Sequence, residues 1–341
     1  MGETPMRGHD QEESSAFNIP GLGCFGKDCG LTALENTSDG VFRAGSGGVV
    51  SVCATGDTKV EVVSFDRSAL ALVTPGVGRA AYYPVLPISP RPICAVLMDL
   101  DGTTVRSEAF WISVIEATVK SLLDNPRFGF EDADIPFVSG HSVSEHLNYC
   151  INKYCPGASL KDATAFYFEH TEREMDLVAK GERRGAFTPN EGVFDFLRFL
   201  KGRGIRIGLV TSGLLKKAWP EILSAFDVLG LGPPEDFYDS IVTAGVRPGR
   251  GESGTLGELE AKPHPWLYAE SGIVGLGIPA EDSDTVIGIE DSGAGVCSVR
   301  LAGYRTVGLG GGNIRQSGTM AFVSDFCETF EDVGRLILEA D

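Results

Sequence analysis

The sequence predicts an α/β protein with three parts: a Rossmann-like parallel sheet core, a helical domain inserted into it, and a small β-rich N-terminal extension. From Ile93 onward, apolar strand patterns alternate with helical patterns, which predicts parallel strands joined by right-handed crossovers. About a hundred residues separate the first two strands of that series, far more than one crossover helix requires. Before Pro87, short β-rich runs are separated by Gly, Asp and Pro, which is typical of a small antiparallel sheet.

These patterns divide the 341-residue chain into four stretches. Residues 1–17 are polar and are predicted to be disordered. Residues 18–90 form the β-rich extension, and the segment Pro87–Pro92 is predicted to be a stiff linker. The α/β core takes residues 91–105 and 189–341, with the helical insertion at residues 106–188.

The elements from Ile93 onward follow from apolar periodicity and from capping residues. The predicted strands are Ile93–Leu100, Ile205–Thr211, Ser240–Ala244, Thr285–Glu290 and Arg305–Leu309. The predicted helices are Phe110–Leu123, Glu191–Arg203, Pro265–Gly272 and Gly293–Ala302, with Gly303 closing the last one.

Composition excludes several classes of partner. The formal net charge is −18, from 29 Lys and Arg against 47 Asp and Glu, so we expect neither nucleic acid nor an anionic membrane as a partner. No run approaches the roughly 18 apolar residues of a membrane span, and the N-terminus lacks the apolar stretch of a signal peptide. A cytoplasmic enzyme is therefore expected. The eight cysteines show no complete zinc-binding pattern, and reduced thiols are the favoured interpretation.

The first core strand ends in two aspartates, within the stretch "AVLMDLDGTT". Residues i and i+2 of a strand point to the same face, so Asp99 and Asp101 project together from the carboxyl end of the strand, where α/β sheets bind ligands. Burying a carboxylate costs several kcal/mol unless a charge or a metal neutralises it. A Mg²⁺ ion shared with a substrate phosphate would offset that cost. The alternative is a solvated Asp-x-Asp-Gly turn.

Three further motifs follow at predicted strand ends or loops. The second strand ends in Thr211 and Ser212, whose hydroxyl and backbone N–H groups suit phosphate oxygens. Lys262 precedes a proline and a helix start, so its ammonium group can point toward a shared site. A fourth strand ends in Glu290 and Asp291, and Ser292 is the predicted helix cap. Two buried strands that both end in paired acids indicate a shared cation.

In this order the motifs "DLDGT", "VTSG", "KP" and "IED" resemble those of the haloacid dehalogenase-like hydrolase superfamily, over about Ile93 to Leu309. The helical insertion directly after the first motif is most similar to the subfamily of β-phosphoglucomutase and small sugar-phosphate phosphatases. In that subfamily the insertion is a cap that closes over the site.

The resemblance implies a role for each motif residue. Asp99 would be the nucleophile that forms an aspartyl phosphate, and Asp101 would protonate the leaving oxygen and later activate water. Thr211 and Lys262 would stabilise the phosphoryl oxygens, assisted by Ser212 and Gly213. The implied Mg²⁺ ligands are Asp99, Asp101 through its backbone carbonyl, Asp291, and Glu290 as a direct or indirect partner.

The reaction expected from these motifs is Mg²⁺-dependent hydrolysis of a small phosphorylated metabolite, a sugar or polyol phosphate, by a monomer or homodimer. Val143 and Trp111 stand where the mutase carries an Arg and a His, which disfavours a phosphomutase. That mutase and a non-catalytic binding protein working through residues 18–90 remain the alternatives.

The cap is expected to select the substrate. Candidates for facing it are Arg106, Glu108, Trp111, His141, Ser142 and His146. A structural role is equally open for each of the two histidines. The Gly- and Glu-rich stretch 245–260 is longer than the resemblance leads us to expect, and the sequence assigns it no role.

Overall fold

The computed structural model describes residues 17–75, 79–138, 143–183, 185–245 and 259–340. Its main features are a six-stranded parallel sheet flanked by helices and a five-stranded antiparallel sheet near the N-terminus. The predicted α/β fold class is therefore confirmed. Within the described ranges, no helix combines the length and the apolar character needed to cross a bilayer.

The N-terminal part begins with a small hairpin and continues as an antiparallel meander of neighbouring strands. The hairpin strands are β1 (Phe17–Ile19) and β2 (Gly23–Phe25). The meander strands are β3 (Thr32–Leu34), β4 (Ser51–Ala54), β5 (Val60–Ser64), β6 (Ala69–Val73) and β7 (Ala81–Pro84).

The parallel sheet has the strand order β12-β11-β8-β13-β14-β15. Its members are β8 (Ala95–Asp99), β11 (Arg206–Thr211), β12 (Ser240–Thr243), β13 (Val286–Glu290), β14 (Arg305–Leu309) and β15 (Asp325–Cys327). The five predicted strands are confirmed. The edge strand β15 was not predicted, because its three residues carry no apolar periodicity long enough to identify a strand.

The insertion contains the helices α1 (Glu108–Leu123), α2 (Ile135–Val138), α3 (Val143–Tyr154) and α4 (Leu160–Ala179). Two short strands, β9 (Val105–Arg106) and β10 (Thr188–Pro189), pair antiparallel at its two connections to the core. We call the region between them the cap.

The remaining helices cover the parallel sheet. They are α5 (Val193–Gly202), α6 (Leu215–Leu229), α7 (Pro234–Phe237), α8 (Trp266–Ala269), α9 (Gly293–Leu301) and α10 (Phe330–Glu339). The helix predicted at Pro265–Gly272 is α8 followed directly by a π-helical turn over Glu270–Gly275. Ser292 caps α9 by accepting a hydrogen bond from the Gly295 N–H, and Gly303 follows the helix in a left-handed conformation, both as predicted.

The N-terminal sheet is packed firmly on the core. Its buried apolar residues, among them Val62 and Val73, share one cluster with Val296 and Leu301 of α9. The buried Arg300 of α9 also donates hydrogen bonds to the backbone carbonyls of Gly21 and Leu86, the latter at 2.6 Å. The segment Pro87–Pro92, predicted to be a linker, is attached to the core as well, since Arg91 pairs with Asp282 at 2.9 Å and Asp284 at 3.0 Å.

A buried carboxylate stabilises the cap. Asp134 is fully buried and accepts hydrogen bonds from Lys153 and Tyr149, both at 2.5 Å, and from Tyr154 at 2.6 Å. Burial by itself would raise the pKa of Asp134, but the hydrogen bonds from Lys153 and the two tyrosines hold that pKa well below its usual value.

We expect Asp134→Asn to lower the free energy of unfolding by about 2 kcal/mol at pH 7, because a charge-assisted pair is replaced by a neutral amide. A depressed pKa contributes stability that is present above the unfolded value near 4 and is lost as pH falls through the folded pKa. Urea unfolding at pH 7 and pH 3 should therefore show the difference between wild type and variant shrinking at the lower pH. The matched control is Asp132→Asn on the same turn, where the side chain is exposed; an equal loss in both variants would contradict the prediction.

Candidate active site

Two adjacent strands, β8 and β13, bring the predicted acids to one edge of the parallel sheet. Strand β8 lies between β11 and β13, and all three run in the same direction, so their carboxyl ends meet. Asp99, Glu290 and Asp291 each place a carboxylate oxygen within 4.8 Å of the others. Three acids at this distance need a positive charge or protons between them.

Lys262 supplies a positive charge. Its side chain is only 6% exposed, and its ammonium group contacts the Asp99 carboxylate and lies 2.6 Å from Glu290 Oε1. The backbone N–H of Lys262 donates to Ser212 Oγ at 3.1 Å. Burial alone would lower the pKa of Lys262, but the charges of Asp99 and Glu290 raise it above its usual value. Lys262 is therefore charged at neutral pH.

The surroundings of the Asp99 carboxyl disfavour its ionised form. Burial and the neighbouring Glu290 raise the pKa of Asp99 well above its usual value, and the charge of Lys262 opposes them. The ammonium of Lys262 therefore favours the ionised form of Asp99.

Glu290 holds Lys262 in place. It is fully buried, and it accepts hydrogen bonds from the Tyr268 hydroxyl at 2.6 Å and from Ser292 Oγ at 3.0 Å. A Cβ atom at Gly295 would lie 1.9 Å from the Glu290 carboxyl group, so only glycine fits there. Protein donors therefore contact both oxygens of Glu290.

Asp291 lies between two glycine-containing loops. A Cβ atom at Gly102, which has φ +83°, would lie 2.2 Å from Asp291 Oδ2, and one at Gly312 would lie 2.0 Å from the Asp291 carbonyl oxygen. Thr103 donates a hydrogen bond to the Asp291 carboxylate at 3.2 Å. Burial first, and Glu290 second, raise the pKa of Asp291 to about 7. Closely packed carboxylates that are costly to ionise fit a divalent cation, which prefers oxygen ligands of this kind.

Asp101 faces away from this cluster, toward the beginning of the cap. Its carboxylate accepts hydrogen bonds from Ser107 Oγ at 2.7 Å and from Trp111 Nε1 at 3.2 Å. Burial would raise the pKa of Asp101, but the positive charge of Lys217 and the hydrogen bond from Ser107 lower it overall. The side chain is therefore placed where cap and core meet.

Two residues of α6 complete the surroundings of Asp101 and were not predicted. The Lys217 ammonium lies 3.7 Å from the centre of the Trp111 ring. Glu221 is fully buried, and burial together with the charge of Asp101 raises the pKa of its carboxyl well above the usual value. Their four-residue spacing places both on one helix face, but it does not indicate which part of the protein that face contacts. Gly312 was missed too, although it lies in the run "GLGGGN".

The motif "VTSG" at the end of β11 forms a tight turn beside Lys262. Thr211 is buried, and its hydroxyl accepts a hydrogen bond from the Gly213 N–H at 2.9 Å. Ser212 is exposed and accepts from the backbone of Lys262. The turn therefore links the ends of β11 and the Lys262 loop at the same edge of the sheet.

The residues predicted to face the substrate from the cap do not lie together in one place. Trp111 contacts Asp101, whereas Arg106 lies at the cap connection, with its guanidinium 3.2 Å from Asn190 Oδ1 and 3.4 Å from Glu191. Glu108 is exposed on the first turn of α1, and His146 is buried on α3. His141 and Ser142 lie outside the described residues.

A family model of haloacid dehalogenase-like hydrolases matches residues 93–296. No curated protein sequence matches the chain significantly.

Solved structures share its fold. A predicted phosphoglycolate phosphatase from Haemophilus somnus has a TM-score of 0.54 at 16% identity, covering 73% of this chain and 99% of that one. A haloacid dehalogenase family hydrolase from Deinococcus radiodurans with bound phosphate and sodium gives 0.52 at 21% identity, covering 73% and 96%. A variant of CbbY from Rhodobacter sphaeroides in complex with xylulose-1,5-bisphosphate gives 0.51 at 21% identity, covering 71% and 96%. At these identities the likeness shows the fold alone.

Proposed function

Because this chain belongs to the haloacid dehalogenase-like hydrolases, we propose that it is a phosphatase that depends on a divalent cation and hydrolyses a small organic phosphate. The observation that carries the proposal is the ammonium of Lys262, buried between Asp99 and Glu290 with Asp291 beside them. This arrangement provides a nucleophile and a positive charge at one point, which is what transfer of a phosphoryl group requires.

In the first step, an oxygen of Asp99 attacks phosphorus while the bond from phosphorus to the leaving oxygen breaks. Because the pKa of Asp101 is lowered in the free protein, Asp101 must take up a proton as the substrate binds; it then gives that proton to the leaving oxygen, so the product leaves as an alcohol. In the second step, Asp101 takes a proton from water, the water oxygen attacks phosphorus, and the aspartyl phosphate is cleaved to orthophosphate and Asp99.

Lys262 and Thr211 act on the phosphoryl group as it passes from the leaving oxygen to the oxygen of Asp99. The Lys262 ammonium balances negative charge on the phosphoryl oxygens, and the Thr211 hydroxyl can donate a hydrogen bond to one of them. Ser212 and Gly213 shape the turn that holds both groups. Preorganised donors of this kind need no rearrangement when the charge develops.

The cation we propose is Mg²⁺. Asp99 and Asp291 would hold it together with the backbone carbonyl of Asp101, and Glu290 would act indirectly through Lys262. When bound, it would neutralise the carboxylates and allow a dianionic phosphate to approach them.

Asp101, the residue proposed to transfer the proton, is hydrogen-bonded to the cap. Its hydrogen bonds to Ser107 and Trp111 join the proton-transferring group to the first turn of the inserted domain. Trp111 stands at the position where the resemblance places a histidine in the mutase, and its indole N–H can only donate. This supports hydrolysis rather than return of the phosphoryl group to a sugar.

A sugar or polyol phosphate is the substrate class that we propose. The CbbY variant, whose fold matches 71% of this chain, was solved in complex with xylulose-1,5-bisphosphate. The cap is where selectivity for the leaving group would reside.

We expect phosphate release from a panel of sugar, polyol, nucleotide and glycolytic phosphates to require Mg²⁺, with EDTA lowering the rate by about 10²-fold or more. Released orthophosphate is measured with Mg²⁺ and with EDTA, and the Asp99→Asn protein serves as the blank. Release from a narrow subset would identify what the cap recognises. Release that is unaffected by EDTA would contradict the role of the cation, and silence of a folded protein across the panel would contradict the phosphatase.

A further inference from the structure

The N-terminal sheet lies outside the residues that match the family, yet one of its side chains reaches the loop of Lys262. The Tyr83 hydroxyl, on β7, lies 2.7 Å from Nδ1 of His264 and forms a hydrogen bond with it. The two rings meet edge to face with their centres 5.7 Å apart, and Tyr83 also meets Trp266 at 5.9 Å. His264 is 1% exposed, so this contact is shielded from water.

The other contacts of His264 come from its own loop and from α9. Its Nε2 atom lies 3.2 Å from Glu260 Oε2, and its backbone carbonyl accepts a hydrogen bond of 2.6 Å from Ser298 Oγ on α9. Its backbone N–H donates to the Ala261 carbonyl at 3.2 Å. The loop that carries Lys262 is therefore held between α9 and Tyr83.

Small movements of this loop matter because the Lys262 ammonium makes close contacts. It touches Asp99, Glu290 and the Val210 carbonyl, the last two at 2.6 Å and 3.3 Å. His264 follows Lys262 by two residues, so a shift of the imidazole moves the backbone from which the ammonium extends. A misplacement of about 1 Å can lower a catalytic rate by 10²-fold.

We propose that Tyr83 is a positioning residue for the phosphoryl-transfer site, and that the N-terminal sheet acts through it to fix Lys262. The sheet can do this because it is anchored on α9 by the shared apolar cluster and by the buried Arg300. This inference rests on the proposed phosphatase function and adds a role for a part of the chain that the family match does not cover.

The neighbouring tyrosine offers a matched control. Tyr82 lies on the same strand, and its hydroxyl bonds to Asp39 at 2.8 Å in an exposed position. Successive residues of a strand point to opposite faces, so Tyr82 faces away from the His264 loop. Tyr82→Phe and Tyr83→Phe each remove one hydroxyl from β7, but only Tyr83→Phe removes a hydrogen bond from His264.

We expect Tyr83→Phe to lower kcat by about 10-fold on p-nitrophenyl phosphate with Mg²⁺, with KM changed by less than about threefold, because the contact that it disturbs acts on the transition state. Tyr82→Phe should match the wild type in both constants. Circular dichroism verifies that each variant is folded. If the wild type releases no phosphate from p-nitrophenyl phosphate or from any member of the panel, the proposed function fails; if the wild type is active and both variants equal it, the role of Tyr83 is overturned.

A second pair of variants covers the case in which Tyr83→Phe does not fold. His264→Asn keeps a polar atom near the position of Nδ1 that can accept from Tyr83, whereas His264→Ala does not. We expect the asparagine variant to retain at least about threefold more kcat than the alanine variant. Equal losses in the two would overturn the inference.

Discussion

Replacing Asp99 with asparagine is expected to lower phosphate release by about 10⁴-fold or more, because an amide cannot attack phosphorus to form the covalent intermediate. The fold is expected to survive. Asp99 is a buried carboxyl with a raised pKa, and a neutral amide of the same shape removes the cost of burying its charge.

Three measurements test this prediction together. The rate of orthophosphate release from the best substrate of the panel gives the catalytic loss, and thermal unfolding gives the stability. Rapid acid quenching of the wild type during turnover should leave a phosphoryl group on the peptide that contains Asp99, and the variant should show none. A folded Asp99→Asn protein that retains a tenth of the wild-type rate would exclude Asp99 as the nucleophile.

Much of the fold could be predicted because its strands are buried on both faces. Runs such as those of β8 and β13 are apolar throughout, which is typical of central parallel strands. Their ends were also visible, since Asp99 and Glu290 break the apolar runs where the carboxyl ends of the strands must lie. The sequence alone therefore predicts that the acids meet at one edge of the sheet.

The surroundings of these acids could not be predicted, because they depend on how distant elements pack. Nothing in the pattern around Asp101 indicates that Lys217 and Glu221 lie against it, since they belong to a helix more than a hundred positions away along the chain. The same is true of Tyr83 and His264, whose contact depends on where the N-terminal sheet docks. Periodicity reports which face of an element is buried, but not what covers it.

Glu290 shows how packing changes the interpretation of a motif. From the sequence, Glu290 and Asp291 form a pair at a strand end and either could bind a cation. In the structure, consecutive residues diverge: Glu290 points into the core toward Tyr268 and Lys262, whereas Asp291 lies beside Gly102. The positive charge needed by the acids is therefore supplied partly by the protein itself.

Lys262→Met tests that charge, and we expect it to reduce both turnover and stability. Loss of the ammonium removes a preorganised positive charge from the phosphoryl group, which should lower kcat by about 10³-fold. It also leaves Asp99 and Glu290 buried without their partner, which should cost about 3–5 kcal/mol of unfolding free energy. The control is Lys216→Met, whose exposed ammonium pairs with Glu172 at 3.0 Å and whose loss should change stability by less than about 0.5 kcal/mol.

The pH dependence of stability should change in a defined direction. Lys262 opposes the raised pKa of Asp99, so its removal raises that pKa further. A folded state that binds more protons than the unfolded state loses stability as pH rises. Urea unfolding of Lys262→Met between pH 5 and pH 8 should therefore show a steeper decline than the wild type. Parallel curves for the two proteins would contradict this role of Lys262.

A double variant separates stability from catalysis. Adding Glu290→Gln to Lys262→Met removes the second unpaired carboxylate, and the amide can still accept from Tyr268. Since the two residues are in direct contact, their effects on stability should not add, and the double variant should be more stable than Lys262→Met alone. Turnover should remain low, because the phosphoryl group still lacks the ammonium. A double variant no more stable than Lys262→Met would show that the cost of losing Lys262 arises at Asp99 rather than at Glu290.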